Sequence, residues 1–273
     1  MLSIVVNTKG GVGKSAFSMQ VVAPYLLSRL GSASLIEVDD QNHDASDYDN
    51  TEILCRQIKI GDNPHRAVER LNELTIDNNV VIDVGGNKTA EAFLQAAGNN
   101  GLSRYVDFIV IPVSQTGKDV ENAKKTLDLI RKHFLGFEGK ILLGATRLND
   151  GSDRDALQYS MPDATELYAY EKLDGFLILP ESDAIPMSRM MGMSAWEIAQ
   201  GAEGIREMCF AQIDIARKAG QATHEMRGWT RKLRCTQSSV KLMPHLEDLF
   251  NTLDEVLTCP AARSIAPVAA EDE

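Results

Sequence analysis

The sequence predicts an α/β fold, a mostly parallel twisted sheet with helices on both faces, followed by a helical C-terminal extension. Three observations predict it. Short apolar runs rich in β-branched residues alternate with longer helix-compatible stretches over about the first 200 residues. The runs are nearly continuous, as strands covered on both faces should be, with little apolar–polar alternation. The composition is that of a folded chain: 44% hydrophobic and 25% charged among 273 residues, enough for one large or two small domains.

The first strand is read at Leu2-Ser3-Ile4-Val5-Val6, and a helix over 14–30 follows it. The next strands are read over 34–38, 80–84, 108–112, 141–145 and 176–180, with a further edge strand over 53–60. Helices fit 64–73, 89–97, 118–132 and 187–200 between them. Beyond Ile205 the strand signal stops, and one amphipathic helix is expected over 240–257. The economical division is a main domain over 1–205, a helical extension over 206–259 and an acidic tail over 260–273.

Charge narrows the partners. The chain carries 28 Lys and Arg against 39 Asp and Glu, a net charge of −11, so contact with a polyanion requires a local basic patch. One exists: residues 206–245 hold eight basic side chains and three acidic ones, with Trp229 among them. Four well-separated cysteines (Cys55, Cys209, Cys235, Cys259) suggest neither zinc site nor disulfide framework. Five scattered histidines show no metal spacing, and no serine sits in a Gly-x-Ser-x-Gly elbow. Met187, Met190, Met191 and Met193 read as helix packing. No apolar run approaches the roughly 18 residues of a membrane span. A cytoplasmic protein is expected.

The motif that carries chemistry is Asn7-Thr8-Lys9-Gly10-Gly11-Val12-Gly13-Lys14-Ser15, placed between the first strand and the first helix. Glycines let successive backbone N–H groups turn inward around phosphate oxygens, and the helix N-terminus behind them adds its positive dipole end. Lys14 is placed to reach β and γ phosphates and the Ser15 hydroxyl to coordinate magnesium. The common loop begins with a glycine where this chain has Thr8; here the distinctive residue is Lys9.

The run from Lys9 to Ser15 resembles the deviant Walker A motif of the ParA/MinD ATPases, a branch of the P-loop NTPases. In that family the early lysine, matched by Lys9, reaches the phosphates of a partner subunit across a nucleotide-sandwich dimer. The resemblance continues. Glu37-Val38-Asp39-Asp40-Gln41 stands at the family's Asp-x-Asp, with Asp39 matching the aspartate that orients the attacking water and Glu37 replacing the first one. Val81-Ile82-Asp83 matches Walker B, whose aspartate holds magnesium, and Gly85-Gly86 opens the switch segment beyond it. Ile111-Pro112-Val113 with Asp119 resembles the segment leading into an interface helix. Arg147, Asn149 and Pro180 fall where relatives contact adenine, and Gly192 to Glu197 resembles the family's closing pattern. Ile82-Asp83-Val84-Gly85-Gly86-Asn87 and the chain length are similar to the plasmid StbB/TraL/MobD-like branch.

The resemblance implies a magnesium-dependent ATPase, slow without a partner, that forms a homodimer with ATP and positions plasmid or other DNA. Its catalytic residues would be Lys9, Lys14 and Asp39. ATP would be held by Gly10, Gly11, Val12, Gly13, Lys14, Ser15, Ala16, Arg147, Asn149 and Pro180, and magnesium by Ser15 and Asp83. The expected partners are a DNA-binding adaptor or ParB-like protein and nonspecific DNA, which would associate the protein with the nucleoid. A membrane is disfavoured, because the sequence ends in an acidic stretch and not a basic amphipathic helix. Two other readings remain open at this point: a metabolic P-loop ligase related to dethiobiotin synthetase, and a non-hydrolysing nucleotide-dependent scaffold or filament.

Overall fold

Strands β1 (Leu2–Val5), β2 (Ser34–Val38), β3 (Leu54–Ile58), β4 (Val80–Val84), β5 (Phe108–Val113), β6 (Lys140–Leu148) and β7 (Gly175–Pro180) pair in parallel in the order β3-β2-β4-β1-β5-β6-β7. The computed structural model describes residues 1–40, 44–61, 63–76, 78–148, 154–219 and 223–257. Every residue of β1, β4 and β5 is buried, which explains their unbroken apolar runs. At the sheet edge, β3 exposes Leu54, Arg56 and Gln57, and the charged and amide side chains of the last two suit an unpaired edge. The chain winds outward from β1 to β2 and β3, returns to β4 beside β1, then crosses to β5 on the other side. Winding therefore reverses around β1, and the crevice at the C-terminal strand ends there is where such sheets bind ligands.

One sheet face is covered by α3 (Pro64–Thr75), α4 (Lys88–Asn99) and α5 (Gly117–His133), which bury Leu71, Phe93, Leu127 and Ile130. Pro64 opens α3, and the Asn63 side chain accepts from the Arg66 N–H, so the cap signal fixes that boundary. On the opposite face the first helix runs from 14 to 30 as expected, in three parts. These are α1 (Lys14–Phe17), a π-helical turn (Ser18–Val22) and α2 (Ala23–Leu30), which ends at left-handed Gly31.

Beyond β6 the structure differs from the sequence reading. Two helices that the apolar pattern did not reveal, α6 (Arg154–Ser160) and α7 (Pro162–Glu171), connect β6 to β7. In α7 the buried positions are Ala164 and Leu167, too few for a strong helical period. The single helix expected over 187–200 is two, α8 (Ala184–Met191) and α9 (Ala195–Gln200). Gly192 at φ 66 ends the first, and a Ser194–Glu197 capping box starts the second.

The chain closes with α10 (Ala202–Lys218) and the 35-residue α11 (Thr223–Leu257), which starts well before the expected 240 and continues through Pro244. The second half of α11 belongs to the core of the second sheet face. Leu246, Leu249, Phe250 and Leu253 pack there with Tyr25 and Leu26. The Tyr25 hydroxyl and Arg29 Nε both donate to Asp254 at 3.0 Å. Among the described residues no helix is long and apolar enough to cross a membrane. Cys209 and Cys235 are buried free thiols, Cys55 is half-buried, and Cys259 lies outside the described residues.

Candidate functional site

The glycine loop begins where β1 ends, and buried polar contacts fix both its flanks. Asn7, fully buried, donates to the Pro112 carbonyl at 2.7 Å and accepts from the Lys9 N–H at 2.9 Å. The Thr8 N–H donates to the Thr126 hydroxyl on α5 at 2.9 Å. Gly11 and Gly13 then take φ of 75 and 93, a region that side-chain-bearing residues rarely occupy. At Gly13 a second constraint acts: an added Cβ would lie 2.6 Å from Thr146 Cγ2. That threonine in turn donates to the Val12 carbonyl at 3.2 Å, so β6 supports the loop from beneath.

Lys14, only 9% exposed, donates to the Lys9 carbonyl at 3.1 Å and so folds back over its own loop. Burial lowers its pKa, and Asp83 and Asp39 act against that by favouring the charged form. Asp83, at the end of β4, faces the same space. Burial pushes its carboxyl up to about 7, against the pull of Ser15 and Lys14 and with the help of Glu37. Its Oδ1 is buried with no hydrogen-bond partner among the described residues. Glu37 is the register neighbour of Asp83 on β2, and its carboxylate accepts from the Ala45 N–H at 3.1 Å.

Gly85 and Gly86 permit close approach. A Cβ on Gly85 would lie 2.8 Å from the Asp39 carboxyl carbon, and one on Gly86 would lie 2.9 Å from the Gly10 nitrogen. Asn87 follows at φ 53, and its N–H donates to the Thr8 carbonyl at 2.6 Å. The segment after β4 is thereby laid against the glycine loop.

Together these elements line one cavity of about 980 Å³. It brings together Gly10, Gly11, Gly13, Lys14, Ser15, Ala16, Asp39, Asp83, Arg147 and Pro180 from the residues the sequence singled out. Val12 is buried beneath the loop, and Asn149 lies outside the described residues. Lys9 is not in the cavity. Its ammonium is paired with Asp119 of the same chain, a 2% exposed carboxylate that also accepts from Ser114. Arg147 holds φ 60 and donates to the Gly11 carbonyl at 3.0 Å.

Several lining residues carried no signal in the sequence. Tyr48, Asp183 and Arg189 reach the cavity from the end of a short 3-10 turn (Asp44–Asp47) and from α8, and no motif marks them. Glu197 has a structural explanation: its carboxylate accepts from the Ser194 N–H, the Thr51 hydroxyl and the Glu52 N–H at 2.8–2.9 Å, tying α9 to the segment before β3.

The arrangement suits a polyphosphate with a hard cation. Asp83 Oδ1 and the Ser15 hydroxyl are oxygen donors of the kind magnesium prefers. Among the described residues no three His, Cys, Asp or Glu side chains converge to hold a metal unaided. A cation here would complete its shell with phosphate oxygens and water.

No protein-family model and no curated protein matches the sequence. Solved structures do match in three dimensions. An ATP complex of a McdA variant from Cyanothece superposes with a TM-score of 0.53 at 14% identity, covering 95% of this chain and 97% of the other. A putative plasmid partition protein from Borrelia burgdorferi B31 bound to AMPPNP gives 0.45 at 17% identity, covering 67% and 87%. A nucleotide-binding protein in complex with ADP from Archaeoglobus fulgidus gives 0.46 at 12%, covering 70% and 86%. At such identity the likeness is one of fold: along nearly its whole length, this chain shares the α/β fold of the McdA–ATP complex.

Proposed function

We propose that the chain is a magnesium-dependent ATPase acting as a dimerising switch for the partition or positioning of DNA. The observation that carries the reading is the cavity at the reversal point of the sheet. There a glycine loop, Lys14, Ser15, Asp39 and Asp83 converge. Phosphoryl transfer asks chiefly for positioning and charge neutralisation. Backbone N–H groups and Lys14 would hold the phosphates. Ser15 and Asp83 would hold magnesium, which when bound would neutralise phosphate charge. Asp39, 8% exposed at the end of β2, would orient the attacking water. Arg147 and Pro180 would flank the base.

The match to an ATP complex of McdA supports the nucleotide, and the resemblance of the loop to ParA/MinD proteins supports the dimer and the DNA cargo. Binding to nonspecific DNA or to a DNA-binding adaptor would place the ATP form on the nucleoid. The first test is ATP binding with magnesium by wild type and Lys14→Ala. Loss of a charge-assisted phosphate contact should weaken affinity by about tenfold or more, from roughly 1.5–3 kcal/mol. Unchanged affinity in Lys14→Ala would remove the phosphate-loop assignment. Turnover that requires a second small-molecule substrate would point to a ligase instead.

A further inference from the structure

Four buried side-chain oxygens have no hydrogen-bond partner among the described residues, and two of them, Asp83 Oδ1 and Ser18 Oγ, are neighbours. The loop chemistry described above uses Asp83 and gives Ser18 no part. Ser18 is fully buried and opens the π-helical turn, which packs against β4, the strand that carries Asp83. Such turns inside helices are frequent at functional sites. The Ser18 hydroxyl lies close enough to draw the Asp83 carboxyl's pKa down but stops short of a hydrogen bond. The backbone beneath it is fixed. The Ser18 N–H donates to the Lys14 and Ser15 carbonyls, and its own carbonyl accepts from the Ala23 N–H. Met19, Val21 and Val22 are buried in the core of the second sheet face. Gln20 donates to the Tyr48 and Ser188 hydroxyls and accepts from the Ala195 N–H. With its neighbours held, Ser18 can redirect its hydroxyl only by rotation within its own side chain.

A buried hydroxyl without a partner costs stability, and serine is a poorer helix former than alanine. For packing alone, alanine would serve better at this position. The Asp83 carboxylate gives the hydroxyl a use. A carboxylate oxygen has two acceptor sites, so it can take a hydrogen bond and still face a cation or a cation-bound water. Held by one donor, a carboxylate pivots about that bond; a second donor fixes its plane, as hydrogen bonds to ligating carboxylates do at metal sites. Ser15 pulls on Asp83 from the loop, and Ser18 approaches from the next turn of the same helix. We propose that Ser18 is a positioning residue, whose hydroxyl closes onto the Asp83 carboxylate when a divalent cation and a nucleotide are bound. A charge-assisted hydrogen bond of this kind then sets the carboxylate's orientation toward the cation. The inference rests on the nucleotide and magnesium reading of the cavity and adds a residue to it.

The test measures Mn2+ binding by electron paramagnetic resonance, with ADP present, in wild type, Ser18→Ala and Ser18→Thr. ADP affinity in EDTA and melting temperatures without ligand are taken on the same samples. Ser18→Ala should need about tenfold more Mn2+, the usual loss when a hydrogen-bond partner of a metal ligand is removed. It should bind ADP in EDTA as the wild type does and melt no lower, because the group removed had no partner in the free protein. Ser18→Thr keeps the hydroxyl and should restore the wild-type Mn2+ requirement. A merely structural serine predicts otherwise: Ser18→Ala would melt early and weaken ADP binding equally with and without metal. That result overturns the proposal, as does a wild-type Mn2+ requirement in Ser18→Ala or a stably folded Ser18→Thr with the defect of Ser18→Ala. Should Ser18→Thr melt early because its extra methyl crowds the turn, the contrast between Mn2+ and EDTA in Ser18→Ala still decides. Failure of the wild type to bind Mn2+ with ADP would sink the magnesium reading itself. A wild type that binds both, with a silent Ser18→Ala, would sink only this inference.

Discussion

Lys9 and Asp39 make separable contributions to the proposed switch. In the single chain the Lys9 ammonium rests on the buried Asp119 carboxylate, so service to a partner's phosphates requires that pair to open. The Lys9 backbone carbonyl, by contrast, already accepts from Lys14, a contact that survives loss of the side chain. Lys9→Ala should therefore retain most of the monomer's ATP affinity and lose ATP-dependent dimerisation. Sedimentation with ATP and magnesium reads this directly, and dimers as strong as wild type would end the sandwich model. Asp39 stands at the mouth of β2, with the Gly85 backbone close against its carboxylate. If it orients water, Asp39→Ala should bind ATP normally and hydrolyse it at least about a hundredfold more slowly, since general-base and positioning groups act in the transition state. Normal turnover would move that role elsewhere, with Glu37 the next carboxylate in the cavity.

At the scale of elements, the second half of α11 is a core helix. Phe250, fully buried, packs edge-on to Tyr25 at 5.8 Å and tilted against Trp196 at 6.4 Å, bridging α2, α9 and α11. Phe250→Ala should cost about 3–5 kcal/mol of unfolding free energy in urea, the usual loss for a buried aromatic. A loss under about 1 kcal/mol would show that α11 lies on the sheet without stabilising it. The sequence announced the strands because each is a short apolar run between polar turns, and it marked the glycine loop by the spacing of its glycines and lysines. It was silent about α6, about α7, whose buried positions Ala164 and Leu167 are too few to show a helical period, and about the break after Met191, where a glycine in left-handed conformation interrupts an otherwise helical run. Within the site, residues adjacent in sequence to a strand end were legible. Arg189, Asp183 and Tyr48 were not, because they arrive by tertiary packing of α8 and of the turn after β2. The orientation of Lys9 was likewise hidden, since Asp119 is far away in the chain and only the docking of α5 brings it near.

Over the whole molecule, a net charge of −11 sets the background against which any DNA contact has to be made. The first half of α11 opposes it. Arg227, Arg231, Arg234 and Lys241 are exposed and spaced by four, three and seven residues, which aligns them along one helix face about 21 Å long at 1.5 Å per residue. Arg234 is paired with Asp183 on the cavity rim, and Lys232 lies over the Trp229 ring at 4.5 Å. The remaining members of the stripe, Arg227, Arg231 and Lys241, are the ones available to DNA phosphates without first breaking a pair at the rim. Each phosphate neutralised releases counterions, so the logarithm of affinity falls against the logarithm of salt with a slope near −0.9 per contact. A monomer with three contacts would show a slope of about −3 and bind poorly at physiological salt, whereas a dimer presenting both stripes would approach about −5. DNA binding by the wild type should accordingly be tight with ATP, weak with ADP, indifferent to sequence and steeply dependent on salt. Changing Arg227, Arg231 and Lys241 together to Ala should flatten the ATP-state slope by most of that amount and leave ATP-dependent dimerisation intact. Random-sequence duplex titrated across a salt series, with sedimentation run on the same samples, measures both quantities. A triple variant that dimerises and keeps the wild-type slope would assign the DNA contact to another surface and leave this face of α11 as a solvated one.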